Sequence, residues 1–271
     1  MLFSIQIKKA SDFSNSYNVP VYSVFLLKGN GQFSVDFVKY EVKDNTIIFL
    51  SPYQNFSWLG SNTQMKLLQF HGDFYCIEYH KKEVACNGLL FNNIYLQPNI
   101  SITESKFKQL EALIDQMELE NLSGKPFSDS VLKSYLQLFL AISSREKASQ
   151  ISYEQIQQPF EPQILEFQHL LEHHFSRERS PSFYAEKLAL SSSAFNKKVK
   201  FQFGKTPSKL IQERVILESK KLLHLTQKSV KEIATELHFD DEFYFSRYFK
   251  KEVGLSPTHF REKVGISIVA K

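Results

Sequence analysis

Six polar side chains of this sequence have the chemistry to recognise the edges of DNA bases. They form two groups about fifty residues apart, namely Ser193, Asn196 and Lys197, then Glu242, Ser246 and Arg247. An asparagine can form two hydrogen bonds with adenine, and a lysine or arginine can donate to the O6 and N7 atoms of guanine. Because the spacing places each group on the outer side of a predicted helix, all six are candidates for base contacts.

Four lysines beside these groups can contact phosphates, which position a protein on DNA without selecting a sequence. They are Lys198, Lys200, Lys250 and Lys251. The alternative for each lysine is a solvated surface. For Arg247 the alternative is an ion pair within its helix, with Glu242 or Glu252. The neighbouring Phe243 is predicted to pack partly rather than to contact bases.

A pattern of apolar, glycine and proline residues surrounds each group and occurs twice. Its apolar members lie at i, i+4 and i+8, which places them on one buried helical face. They are Phe195, Val199 and Phe203 in the first copy, and Phe245, Phe249 and Val253 in the second. Gly204 and Gly254 suit the left-handed residue that ends a helix. Thr206-Pro207 and Ser256-Pro257 then suit the start of another helix.

A shorter helix is predicted before each copy, in FYAEKLALSSS and in VKEIATELHFDDE. Ser229 and Glu232 have the spacing of a capping box. Each copy is therefore predicted to be a helix-turn-helix unit. The helix between them, PSKLIQERVILESKKLLH, would span roughly 25 Å at about 1.5 Å per residue. A spacer of this length lets two units contact major-groove segments that lie about 34 Å apart.

The charge is unevenly distributed along the chain. From Ser180 to Lys271 there are 17 Lys and Arg against 10 Asp and Glu, whereas the preceding residues hold 16 against 19. A basic terminal third indicates a polyanionic partner. Neither an export signal nor a membrane span is predicted, so we expect a cytoplasmic protein. Cys76 and Cys86 fit neither a disulfide framework nor zinc spacing, and we expect reduced thiols.

The first hundred residues predict short β-strands, which favour a small barrel or sandwich. Aromatic residues in this part could line an apolar ligand pocket, or they could fill a solid core. The candidate pocket residues are Phe25, Phe37, Phe49, Tyr53 and Trp58.

Two helices are predicted next, over residues 104–148, followed by a polar linker at 149–160. The second helix carries the apolar stripe Phe127, Val131, Tyr135, Leu138 and Ile142, with further apolar residues beside it. Together these apolar residues cover more of the helix surface than one core-facing stripe requires. The helix is therefore either buried between domains or a self-association surface over residues 127–142.

Residues 161–264 resemble the DNA-binding domain of the AraC/XylS family of transcription regulators. The segment SVKEIATELHFDDEFYFSRYFKKEVGLSPTHFR carries the family's second helix-turn-helix signature, with His238 where the family usually has glycine. The resemblance implies that the base-contacting residues lie at the helix positions named above. The stretch GNGQFSVDFVKYEVKDNTIIFLSPYQNFSW resembles the cupin-type sensor barrel of many family members, so we expect such a barrel over residues 1–103.

The predicted fold class is therefore α+β, with a cupin-like β-barrel, a helical region and an all-α domain at 161–271. We expect a ligand-responsive transcriptional regulator without a cofactor or metal. The expected partners are double-stranded DNA, a small-molecule effector, a second copy through helix 127–142 and, for an activator, RNA polymerase.

Two alternatives are an architectural DNA-binding protein and a metal-dependent cupin enzyme fused to a DNA-binding domain. The second is disfavoured, because His71 and His80, with Glu78 and Glu83, have loose metal-ligand spacing. The sequence contains no H-E-x-x-H, no G-x-S-x-G, no Walker loop and no G-x-G-x-x-G placed after a strand.

Overall fold

The structure is a computed structural model, and it describes residues 2–15, 17–36, 38–60, 63–77, 89–157 and 160–265. The chain divides into two compact units. The first comprises Met1–Asn93 and Gln97–Ser152, and the second comprises Ile94–Leu96 and Tyr153–Lys271. Strands are confined to the first unit and the second is helical, which confirms the predicted α+β class.

Within the described ranges the first unit contains eight strands. They are β1 (Phe3–Lys9), β2 (Tyr22–Leu27), β3 (Gly31–Val35), β4 (Val38–Val42), β5 (Thr46–Leu50), β6 (Phe56–Trp58), β7 (Gln64–Phe70) and β8 (Asn99–Ser101). They form a five-stranded sheet in the order β1-β7-β2-β5-β8 and a three-stranded sheet in the order β4-β3-β6. Where the sequence predicted a small barrel or sandwich, the described strands form a pair of sheets.

The five-stranded sheet is covered on both faces, so β2 and β5 are buried along their whole length. Successive side chains of a strand point to opposite faces. Phe25 and Ile48 join the core formed with the three-stranded sheet. Val24 and Phe49 join a second core, which contains residues of two helices.

Those helices are α1 (Glu104–Ser123) and α2 (Ser128–Gln157). The residues of α2 that enter the core are Leu132, Leu136, Phe139, Leu140 and Ile142. Much of the predicted stripe is instead exposed: Phe127 by 84%, Val131 by 38% and Leu138 by 48%. Since α2 has apolar residues on several faces, its sequence did not decide which face is buried. The helix also continues through residues 149–157, where composition predicted a linker.

Seven helices are described in the second unit. They are α3 (Pro162–His174), α4 (Pro181–Lys187), α5 (Ser192–Phe203), α6 (Pro207–Leu225), α7 (Val230–Glu236), α8 (Glu242–Val253) and α9 (Pro257–Val264). The α4–α5 and α7–α8 pairs are the two predicted helix-turn-helix units. Helix α6 has 19 residues, or about 28 Å, and packs against both pairs.

The short segment 94–96 also belongs to the second unit. Ile94 is buried in the core of the first helix-turn-helix unit, and its carbonyl accepts a hydrogen bond from Lys205 Nζ at 3.1 Å. The hydroxyl of Tyr95 donates to Glu172 Oε1 at 3.0 Å. The sequence predicted that these residues belong with the strands, because nothing within the segment shows which core it enters.

Candidate nucleic-acid interface

The second helix of each helix-turn-helix unit begins at a side-chain cap. Ser191 Oγ accepts from the Ala194 amide at 3.2 Å, and Asp241 Oδ1 accepts from the Tyr244 amide at 2.6 Å. Such caps satisfy amide groups that have no partner inside the helix. Because the caps lie at equivalent positions, α5 and α8 start in the same way.

Glycine ends both helices, as predicted. Gly204 has a φ of 67° and Gly254 a φ of 84°, and both amides donate to a carbonyl four residues earlier. Glycine tolerates this left-handed region because it has no Cβ atom. The predicted caps at Thr206 and Ser256 also form, and each precedes a proline at the start of the next helix.

The turn inside each unit contains a residue with positive φ that is not glycine. His238 has a φ of 55°, and Ala189 has a φ of 53° at the equivalent place in the first unit. Of these two turn residues, only His238 was expected to be unusual from the sequence. The alignment of the two copies offered the missing signal, since Ala189 precedes His238 by the same 49 residues that separate Ala185 from Ala234.

Each second helix buries the face that the repeated pattern predicts. Phe195, Val199, Phe245 and Phe249 are all at most 1% exposed. Burial of this face leaves the polar residues between them on the outside, where they can meet another molecule.

On α5 the predicted contact residues divide into two kinds. Ser193, Asn196, Lys197 and Lys200 are exposed, and across the described part of the chain none of their side chains forms an ion pair. Lys198 is half-buried, and its ammonium group bonds Glu161. A phosphate contact by Lys198 would therefore have to replace that ion pair.

On α8 the guanidinium of Arg247 is exposed, as are Lys250 and Lys251, whereas Glu242 and Ser246 are half-buried. Glu252 pairs with Lys209 at 3.2 Å. Among the residues that the structure describes, Arg247 has no ion-pair partner, so the intra-helix alternative for its role does not form.

Two aromatic residues at the start of α8 are also open to solvent. Phe243 is 68% exposed and Tyr244 is 44% exposed. Packing was predicted for Phe243, since an apolar residue is usually buried. An exposed aromatic ring on this face can contact the methyl group of thymine. The spacing in the sequence could have predicted this exposure, because Phe243 lies four residues before the exposed Arg247.

Buried tyrosines support both units without adding charge. Burial raises the pKa of Tyr184 and of Tyr248 above the ordinary value, so both phenols are neutral at physiological pH. Tyr184 donates to the Glu178 carbonyl at 2.7 Å.

The structure does not bring the predicted pocket residues together. Phe25 and Trp58 lie in the core between the two sheets, whereas Phe49 lies in the core with α1 and α2. Tyr53 is buried and has a φ of 59°. Phe37 lies outside the described residues.

A metal site is likewise not assembled by the part of the chain that is described, which has no cluster of three or more His, Cys, Asp or Glu side chains. His71 pairs with its neighbour Asp73, and His80, Glu78 and Glu83 lie outside the described residues. Of the helices described, none has the length and apolar character that a membrane crossing requires.

Residues 184–263 match the family model of a helix-turn-helix domain. The transcriptional activator RhaS of Escherichia coli strain SE11 is 29% identical over 155 residues, which cover 57% of this chain and 53% of RhaS. This chain thus spans about half the length of the curated relatives it matches.

Two solved structures show a more distant similarity. ToxT from Vibrio cholerae is 19% identical, and the match covers 98% of this chain and 100% of ToxT, with a TM-score of 0.42. The C-terminal domain of AraT, a response regulator from Geobacillus stearothermophilus, is 26% identical over 42% of this chain and 94% of its own, with a TM-score of 0.38.

Proposed function

Since the chain belongs to the AraC/XylS family of transcription regulators, we propose that it is a DNA-binding transcriptional regulator that contacts two adjacent major-groove segments. The proposal rests chiefly on the matched geometry of α5 and α8. Both helices are capped at equivalent residues, bury equivalent apolar faces and expose polar or aromatic side chains on the other side.

The candidate contact residues of α5 and α8 divide into two proposed roles. Asn196, Lys197 and Arg247 would form hydrogen bonds with base edges, and Ser193, Glu242 and Ser246 would lie beside them. Lys200, Lys250 and Lys251 would contact phosphates, and Lys198 could join them after leaving Glu161. We expect a cytoplasmic location, where such a protein can reach the chromosome.

Selection from random duplex DNA with the purified chain tests this function. A regulator should enrich a site of about 20 base pairs with two segments one helical turn apart. The variant N196A/R247A should fail to enrich it, whereas K39A, on strand β4, should enrich it normally. Binding without any enriched sequence would indicate an architectural protein instead.

We also propose that the first unit receives a small-molecule signal. Its support is the separation of the chain into two compact units, of which only the second carries the candidate DNA contacts. The single tryptophan, Trp58, is buried between the sheets and can report binding there. A panel of sugars, aliphatic carboxylates and aromatic acids should include a compound that changes its fluorescence and the DNA affinity. A compound that changes fluorescence alone would contradict a regulatory role.

Self-association through helix 127–142 is a further proposal. Leu119, Leu122, Phe127, Val131 and Leu138 are exposed apolar residues of the α1–α2 pair. An apolar surface of this kind is typical of a contact between protein subunits. RNA polymerase would be an additional partner if the protein activates transcription.

Sedimentation of V131K/L138K tests this surface. The charged variant should be monomeric at concentrations where the unmodified chain is dimeric. I7K is the control, since Ile7 is also apolar and exposed but lies on strand β1. A monomeric unmodified chain would contradict the proposal.

A further inference from the structure

Arg179 connects the two helix-turn-helix units through residues that lie outside helix α6. It lies between α3 and α4, and its Nη2 atom donates to the Leu237 carbonyl and, at 3.2 Å, to the His238 carbonyl. Those two residues form the turn between α7 and α8. The same nitrogen donates to the Ser176 carbonyl at 3.0 Å, so one guanidinium holds backbone from both units.

Stacking adds to these hydrogen bonds. The Arg179 guanidinium carbon lies 3.8 Å from the centre of the Phe239 ring. That ring contacts Tyr244, Phe245 and Tyr248 at centroid distances of 5.7, 5.1 and 5.3 Å. Arg179 therefore stacks on an aromatic cluster at the start of α8.

A second arginine contacts the same turn. Arg177 Nε donates to His238 Nε2 at 3.1 Å. His238 adopts its positive φ at this position. Two side chains of the α3–α4 segment are thus directed at one turn of the second unit.

The arrangement does not satisfy every polar group. Arg179 Nε is buried without a hydrogen-bond partner among the described residues, and burial lowers the pKa of the guanidinium. An unsatisfied buried donor costs stability. A contact selected for stability alone would not need a half-buried cation with an unsatisfied donor here, which favours a role in positioning.

Helix α6 by itself attaches the units along a single axis. A second contact away from that axis removes rotation of one unit against the other. We infer that Arg179 is a positioning residue that fixes the relative placement of α5 and α8 and thereby sets the base-pair spacing of the DNA site. The DNA part of this inference rests on the proposed function.

The first experiment measures placement without DNA. Spin labels at F201C and K251C, in a full chain with C76S and C86S, report the distance between α5 and α8. The unmodified Arg179 protein should give one narrow distance distribution, and R179M and R179K should broaden it. Lysine keeps the charge but lacks the planar guanidinium that stacks on the Phe239 ring.

R214M is the matched control. The Arg214 guanidinium also stacks on a ring, 3.9 Å from the centre of Phe175, and it donates to Glu172 and Glu218. It makes these contacts with α3 and α6 only, so its loss should leave the distance distribution narrow. An unchanged distribution in both Arg179 variants would overturn the inference.

The second experiment measures binding to the selected site and to versions with one base pair added or removed between the segments. Each change moves one segment by about 3.4 Å and about 34° around the duplex. The unmodified chain should prefer the original spacing by at least about tenfold, and R179M and R179K should reduce this to less than about threefold.

The two experiments separate the possible failures. If the unmodified chain selects no site, the proposed function is wrong, and the spin-label distances still decide whether Arg179 positions the helices. If the chain selects a site and both variants retain its spacing preference, only the inference about Arg179 is wrong. Melting temperatures of all variants identify any that fail to fold, and R179K then provides the milder change.

Discussion

The two helix-turn-helix units share their buried residues and differ in their exposed ones. Helices α5 and α8 both bury a phenylalanine and a second apolar residue one turn later, and both end at a left-handed glycine. Their outer surfaces have different chemistry. Asn196 and Lys197 are exposed on α5, whereas Phe243, Tyr244 and Arg247 are exposed on α8.

This difference shows which constraint acts on which residues. The buried face must fit the same three-helix packing in both units, so its residue types are restricted. The outer face contributes little to folding and can differ between units. We therefore expect changes to the buried faces to affect both units alike, and changes to the outer faces to affect each unit separately.

The largest effects should come from the buried faces. F195A and F245A should each lower the free energy of unfolding by about 3–5 kcal/mol, since each removes a fully buried ring and leaves a cavity. Urea unfolding followed by circular dichroism measures the loss. F201A is the control, because Phe201 is 85% exposed and its change should stay within about 0.5 kcal/mol. A loss in one unit only would contradict their equivalence.

Changes to the outer faces should separate the two units. On the selected DNA, N196A and R247A should each weaken binding by about 1–3 kcal/mol and relax base preference only in the segment that the unit contacts. K250A should instead weaken binding to all sequences and lower the salt dependence by about one charge. Fluorescence anisotropy with single-base substitutions measures both. Relaxation of both segments by R247A would contradict the assignment of one unit to one segment.

A glycine substitution in a turn should have a smaller effect on the free energy of unfolding. A189G should raise the free energy of unfolding by about 0.5–1 kcal/mol, because glycine adopts a positive φ without strain. Thermal unfolding gives the value. A194G, a change of the same kind at a helical residue of α5, should lower stability instead. A destabilised A189G would show that its methyl group provides packing worth more than the strain.

The smallest expected effect is a difference in how pH changes the stability of the first helix of each unit. Glu232 bonds the Ser229 amide at 2.7 Å, and that hydrogen bond lowers the pKa of Glu232. The stabilisation is therefore complete above the ordinary carboxyl pKa and is lost as pH falls through the lowered one. Helix α4 has Phe183 at the equivalent position and no such carboxylate.

Amide hydrogen exchange of α4 and α7 between neutral and acidic pH tests this difference. Protection of the Ser229 amide should fall at acidic pH in the unmodified chain. E232Q should make it independent of pH, while α4 should show no comparable change in either protein. Equal pH dependence of α4 and α7 would contradict the role of Glu232.

Part of the candidate site was predictable because it depends on contacts between residues close in sequence. Side-chain caps, terminal glycines and the capping box connect groups three or four residues apart. The sequence therefore indicated both helix-turn-helix units and their exposed residues, including Arg247. The fate of Lys198 was not predictable, since its partner Glu161 lies 37 residues away.

The sequence by itself determined the α+β class, the two repeated units and the surface that can face DNA, because periodicity and local capping specify helices and their faces. Only the tertiary structure decided which face of α2 is buried, that residues 94–96 enter the second unit, and that Phe25 and Phe49 lie on opposite sides of one sheet. It also decided that Arg179 reaches the turn of the other unit. These features depend on contacts and strand register between distant segments, and no short stretch of sequence specifies them.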